Sequence, residues 1–201
     1  MKLLLTGFDP FGGETTNPAL EAVQQLPDLM GGIEITKLVV PTVFGKSIDT
    51  VTDAMEKIGP DVVLCVGQAG GRNGITVERV AINCSDARIA DNEGKQPVDE
   101  PIFSDGPAAY FSTLPIKQMV DAMKAEGIPA AVSNSAGTFV CNQLLYGVLY
   151  TIEKSGLATK AGFIHVPYIP SQAAEKQEMP SSMALSDIIK GLKTAISALE
   201  S

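Results

Sequence analysis

Short continuous apolar runs alternate along this chain with stretches in which apolar residues recur every three to four positions. The first pattern belongs to strands buried on both faces, the second to helices that bury one face. Lys2 to Thr6 reads as a first strand, followed by a glycine-rich loop, Gly7 to Gly13. Asn17 then precedes Pro18-Ala19-Leu20-Glu21, which supplies a cap, a proline at the first helical position and an acid in the first turn. Ile33 to Val40 is a strand, and Ser47 to Ile58 carries Ile48, Val51, Met55 and Ile58 on one helical face. Asp61 to Gly67 is the clearest doubly buried strand. Ile116, Met119, Val120 and Met123 mark a helix, Ala130 to Ser133 a short strand, and Leu144, Leu145, Val148, Leu149 and Ile152 another helix. Ala161 to Val166 is a strand, and Leu185 to Leu199 a terminal amphipathic helix. Between Asn83 and Thr113 the periodicity breaks at Pro97, Pro101, Gly106 and Pro107, where loops and short hairpins are expected. The alternation predicts a mostly parallel sheet with helices on both faces. Neither an internal repeat nor a linker interrupts it, so residues 1–201 read as one domain.

Composition narrows the function classes. The chain is 45% hydrophobic and 19% charged, as a folded enzyme would be, and its net charge of -8 argues against a nucleic-acid partner. No apolar run approaches the ~18 residues that span a membrane. The first residues read as a buried strand, not a signal peptide. Three cysteines without a CxxC pair speak against a disulfide framework or a zinc site, and for a reducing cytoplasm. The Gly7 to Gly13 loop lacks the spacing of a nucleotide-binding loop.

The chain holds one histidine, His165, at the end of its strand. If histidine-dependent chemistry operates here, the base is already identified. Ligands in open α/β sheets sit beyond the carboxyl ends of strands. The loops after Thr6, Val66 and Ser133 would join His165 there, so four strand ends are expected at one rim. Cys141 lies at the start of the helix marked by Leu144, where a helix N-terminus beside an imidazole is expected to lower a thiol pKa. Cys141 reads equally as catalytic or as packing. Cys65, mid-strand, reads as a buried hydrophobe, and Cys84 as structural. Glu78, in the strand-like run Ile75 to Ile82, either orients an imidazole or faces solvent beside Arg79. Phe8 and Phe11 either belong to the core or clamp a flat ring.

Three long segments taken together resemble one family, the pyroglutamyl-peptidases I (pyrrolidone-carboxylate peptidases). They are Thr6-Gly7-Phe8-Asp9-Pro10-Phe11-Gly12-Gly13, the stretch from Gly67-Gln68-Ala69-Gly70-Gly71-Arg72 through Glu78 to Asn83, and Ser135-Ala136-Gly137-Thr138-Phe139-Val140-Cys141-Asn142. His165-Val166-Pro167 also fits. The resemblance implies a three-layer α/β/α sandwich and a Cys141-His165-Glu78 triad. It implies oxyanion donors at the Cys141 N–H and Arg88, and a pocket lined by Phe8, Phe11, Thr42, Gln68, Ile89, Phe139 and Val140, with Gln68 on the lactam. It further implies a cytoplasmic homotetramer without cofactor or metal, acting on N-terminally pyroglutamylated peptides and on neither nucleic acid nor membrane. A different cysteine amidase and a silent binding protein on the same fold are the competing classes. An uncharged pocket speaks against the first, and the presence of all three triad residue types against the second.

Overall fold

The structure, a computed structural model, describes residues 1–200. The elements follow in the order β1 (Lys2–Phe8), α1 (Pro18–Gln24), β2 (Leu29–Met30), β3 (Ile33–Val40), α2 (Lys46–Ile58), β4 (Val62–Gln68), β5 (Ile75–Glu78) and β6 (Val80–Ile82). The second half contributes β7 (Ala109–Phe111), α3 (Ile116–Ala125), β8 (Ala130–Ser133), α4 (Val140–Lys154), β9 (Lys160–Val166), α5 (Pro170–Ala174) and α6 (Leu185–Ser197). The Asn17 side chain accepts from the Ala19 N–H and caps α1, as its sequence signal predicts. The two-residue β2 and the short helix α5 carry no such signal.

Seven strands form one mixed sheet, in the order β2-β3-β1-β4-β9-β5-β8. β3, β1, β4 and β9 run parallel, while β5 runs antiparallel to β9 and parallel to β8. Side-chain alternation divides the apolar residues between two cores. Leu3, Leu5, Leu64, Ile75, Val77, Ile164 and Val166 face α1, α3 and α6. Leu4, Phe8, Val63, Cys65 and Phe163 face α2 and α4. The result is a three-layer α/β/α sandwich. No helix among the described residues is long and apolar enough to cross a membrane.

Two expectations need correction. The run from Ile75 to Ile82 is not one strand. It breaks at Arg79, whose N–H donates to Ser133 O at 2.8 Å, and β6 leaves to pair with β7. Nor do four strand ends meet at one rim. β1, β4 and β9 end there, but β8 runs the opposite way. The loop from 134 to 139 carries the chain back to the start of α4.

The irregular stretch between β6 and β7 is anchored by side-chain amides and a carboxylate. Asn83 donates to Phe103 O and Gly106 O and accepts from the N–H groups of Ile102 and Phe103. This stretch covers the outer side of α4, which explains why α4 is buried nearly all round. Tyr146 OH donates to Pro107 O at 2.6 Å, and Asn142 is bonded to Ile82 and Cys84. Asp91 ties the stretch to the loop before α2. Its carboxylate accepts from the N–H groups of Phe44 (2.8 Å), Glu93 (2.9 Å) and Lys95 (2.8 Å).

Burial raises the Asp91 carboxyl pKa, but three backbone donors and the nearby Lys95 charge outweigh it and hold the group below its ordinary value. A carboxyl with a depressed folded pKa stabilises the fold above its unfolded pKa of about 4, and that contribution is lost as pH falls through the folded value. Asp91→Asn is therefore expected to be less stable than the parent by about 1–3 kcal/mol at pH 7, with the gap narrowing below pH 4. Urea unfolding at pH 7 and pH 3 measures both, and a gap independent of pH would reject the role.

Candidate active site

The α2/α4 face of the sheet gathers the chemically capable side chains. His165 and Thr76 are register partners across β9 and β5. Glu78 lies two residues past Thr76 and therefore on the same face, diagonal to His165. His165 Nδ1 is 2.7 Å from Glu78 Oε1, and both side chains are buried. The alternative of a solvent-facing Glu78 beside Arg79 is wrong, since Arg79 Nε donates to Asn134 Oδ1 at 2.7 Å. Glu78 is instead paired with Arg72, whose Nη1 lies 2.6 Å from the same Oε1.

Cys141 reaches this point from the other layer. It is the second residue of α4, and no side chain caps the N–H groups at that helix start. Gly67 is the register partner of His165 in β4. A Cβ at Gly67 would lie 3.1 Å from Cys141 Sγ and 2.9 Å from the Phe163 ring. The bare glycine face thus leaves the room in which the thiol sits, beside the histidine and over the sheet. Gly137, at φ +78°, makes the turn before this helix in a conformation that favours glycine.

The electrostatics differ from the sequence-based expectation at the thiol. Burial pushes Cys141 up to about 12. The Glu78 charge and Cys65 add to the rise, against a smaller opposing effect of Arg72 and the cysteine's own backbone N–H. Loss of water outweighs the helix terminus, so the resting group is a thiol. Burial also lowers His165 below its ordinary 6.5, against the opposing bond and charge of Glu78, so the imidazole is neutral at pH 7 and able to accept a proton. Burial raises Glu78, but its bond to His165, the imidazolium charge, and contacts from Ser133 and Arg72 leave it below its ordinary value. The Ser133 hydroxyl is turned towards Ser135 O (3.1 Å), and Glu78 Oε2 has no hydrogen-bond partner. Cys65 is packed in the core with its thiol pushed up to about 12, and Cys84 sits 3.7 Å from Asp99.

Of the other candidate residues, Phe11, Thr42, Arg88, Ile89 and Phe139 lie in loops, Phe8 and Gln68 end β1 and β4, and Val140 opens α4. Phe11 and Phe139 have ring centroids 6.0 Å apart, and Phe44 meets Phe139 edge-on at 5.2 Å. A Cβ at Gly12 would lie 3.7 Å from Ile89 Cδ1. Thr42 is buried and bonded through N–H and hydroxyl to Asp9. Phe8 is buried against Phe163, and Val140 is fully buried at the first turn of α4. Arg88 is exposed. It follows Asp86, whose N–H and C=O are bonded to Thr138 O and Thr138 Oγ1 just before α4. Gln68 Oε1 accepts from Gln172 Nε2 at 3.1 Å, and Gln172 is itself bonded to Glu14 and Thr16. Sequence reasoning missed Gln172, which sits in the unsignalled α5. It also passed over Arg72, although an arginine six residues from an acid in a buried strand is a usable signal.

A profile of the pyroglutamyl peptidase family matches residues 1–201. The chain is 59% identical over 199 residues to a pyrrolidone-carboxylate peptidase of Clostridium perfringens, covering 99% of this chain and 93% of that protein. Pyroglutamyl peptidase I of Bacillus amyloliquefaciens has a crystal structure that superposes with a TM-score of 0.95 at 54% identity, covering 98% of this chain and 96% of that one. A variant pyrrolidone carboxyl peptidase of Pyrococcus furiosus superposes equally well at 44% identity, covering 100% and 99%.

With a single histidine, the imidazole titration is free of assignment ambiguity. His165 is expected to titrate below 6.5 in the NMR spectrum. Because Glu78 raises this pKa, Glu78→Gln should lower it further. An unchanged or higher value in the variant would show that the carboxylate does not act on the ring.

Proposed function

Because this chain belongs to the pyroglutamyl peptidase family, a family of cysteine peptidases, we propose that it removes the N-terminal pyroglutamyl residue from peptides through a Cys141-His165-Glu78 triad, with residues 1–201 forming one peptidase domain. The observation that carries the reading is the seat of the Cys141 thiol over the bare face of Gly67, the register partner of His165, with Glu78 bonded to the ring Nδ1.

Burial of the thiol dictates the order of events. Cys141 rests protonated, so His165 removes its proton as the sulfur attacks the carbonyl that joins the pyroglutamyl group to the next residue. A C–S bond forms, and the carbonyl oxygen takes the negative charge. The N–H groups at the start of α4, which no side chain caps, are assigned to receive it, with that of Cys141 foremost and Arg88 as a second donor. Glu78 holds the imidazole tautomer and stabilises its cation. His165 then gives the proton to the leaving amine as the C–N bond breaks, and water hydrolyses the thioester with His165 as base. These steps need no cofactor and no metal.

The substrate ring is uncharged, so its pocket needs apolar walls and a few amide partners. Phe8, Phe11, Ile89, Phe139 and Val140 supply the walls, Thr42 lies beside them, and Gln68 is assigned to the lactam. The hydrogen bond from Gln172 fixes the orientation of Gln68. The enzyme is read as cytoplasmic and as a homotetramer.

Cys141→Ser and His165→Ala are each expected to lower kcat/KM on a pyroglutamyl chromogenic amide by ~10³-fold or more, whereas Cys65→Ser and Cys84→Ser should keep most of the activity. Comparable activity in Cys141→Ser would overturn the mechanism. Selectivity tests the substrate. A prolyl ring lacks the lactam carbonyl and brings an ammonium into a site without a countercharge. Polar mismatch of this kind discriminates by ~10⁴, so prolyl amides should be rejected by about that factor in kcat/KM. A ratio below about ten would remove the pyroglutamyl assignment and favour a broader cysteine amidase.

A further inference from the structure

Arg72 lies in the loop after β4 and takes no part in the steps above. It is held in place from three sides. Its Nη1 donates to Glu78 Oε1 at 2.6 Å and to the Thr76 hydroxyl, and its Nη2 donates to Ser135 O at 3.3 Å. A guanidinium next to a carboxylate commonly forks onto both oxygens. Here it binds only Oε1, the oxygen that already lies 2.7 Å from His165 Nδ1. Oε2 is equally buried and has no partner. The cation and the imidazole therefore share one atom of one buried carboxylate.

That arrangement settles a conflict inside the triad. Glu78 helps His165 by stabilising its cation, but its negative charge opposes a thiolate at Cys141. The charged and titratable groups facing the pair are few. β5 presents Glu78, the loop after β4 presents Arg72, α4 presents Cys141, and β4 presents the neutral Cys65 thiol, while Arg79 is turned away to Asn134. With Arg72 present, the array sums to zero both as thiol and imidazole and as thiolate and imidazolium. Without it, each form carries an uncompensated negative charge in a site shielded from water, where charge is most costly.

We propose that Arg72 is a positioning residue of the catalytic centre, a countercharge that offsets part of the field of Glu78 at the Cys141 thiol while leaving the carboxylate bonded to His165. The inference rests on the reading of Cys141 and His165 as the reacting pair, but its test needs no substrate.

Two titrations decide it. In a Cys141→Ala background, where the thiol cannot couple to the ring, Arg72→Gln removes a repelling cation, so the His165 NMR titration should rise by about one pH unit. In a Cys84→Ser background, where iodoacetamide reports Cys141, the pH profile of alkylation should move up by about one unit in Arg72→Gln. Arg72→Lys keeps the charge and should restore both profiles to within a few tenths of a unit. Arg72→Gln should also lower kcat/KM about 10- to 100-fold, mostly in kcat. Superimposable profiles for Arg72→Gln and the parent, or a Lys variant shifted as far as the Gln variant, would overturn the proposal. If circular dichroism shows that Arg72→Gln does not fold, the Lys variant decides alone: profiles at the parent position support the countercharge, and an upward shift of about a unit rejects it. A parent protein that cleaves no pyroglutamyl amide, yet shows both shifts in Arg72→Gln, would refute the proposed function and leave this inference standing.

Discussion

A carboxylate with no exposed surface, Glu78, dictates what must be built around it. An isolated buried carboxylate either loses its charge or finds donors, because the interior cannot replace its water. Here two donors converge on one oxygen, His165 from the neighbouring strand and Arg72 from the loop after β4. The reversed direction of β5 makes this possible. Antiparallel pairing with β9 sets Thr76 opposite His165, and the two-residue period then turns Glu78 to the same face. A slip of one residue would move the carboxylate into the apolar core formed with α1, α3 and α6.

The thiol arrives by a different route. α4 is buried nearly all round because the irregular stretch between β6 and β7 closes over it, held by Asn83, Asn142 and Tyr146. Such a helix has little freedom to shift or rotate, and its second residue is set against the sheet where Gly67 has no side chain. The segment that carries no periodic signal thus holds Cys141 against the sheet beside Gly67, the register partner of His165. Asp91 and Asp9 extend the same scheme to the loops bearing Phe44, Thr42 and Phe11.

Burial has a chemical consequence beyond positioning. It keeps the thiol protonated and the imidazole neutral, the starting states that the proposed proton transfer requires. A protonated cysteine is slow to react with oxidants or with alkylating reagents that reach it by chance.

Local patterning was enough to specify most elements. The apolar runs of β1, β4 and β9, the alternating positions of β3, the Asn17-Pro18 start of α1, and the helical stripes of α2, α3, α4 and α6 all express burial and backbone preference within a few residues. The lone His165 and the motif around Cys141 likewise marked the proposed base and the proposed nucleophile without any fold. Several features depended on contacts between residues far apart in the chain. The break at Arg79 answers to Ser133, more than fifty residues away, and the reversed direction of β5 and β8 exists only in the pairing of β5 with β9, nearly ninety residues on. The role of Arg72 exists only once Glu78 and His165 share its oxygen. The thiol pKa reversed its expected direction because a helix N-terminus is a local property of sequence, whereas desolvation is set by everything that packs above it. Sequence determined which groups this protein has for chemistry and which segments would carry them, and tertiary structure alone decided their protonation and their partners, because both depend on how completely water is excluded.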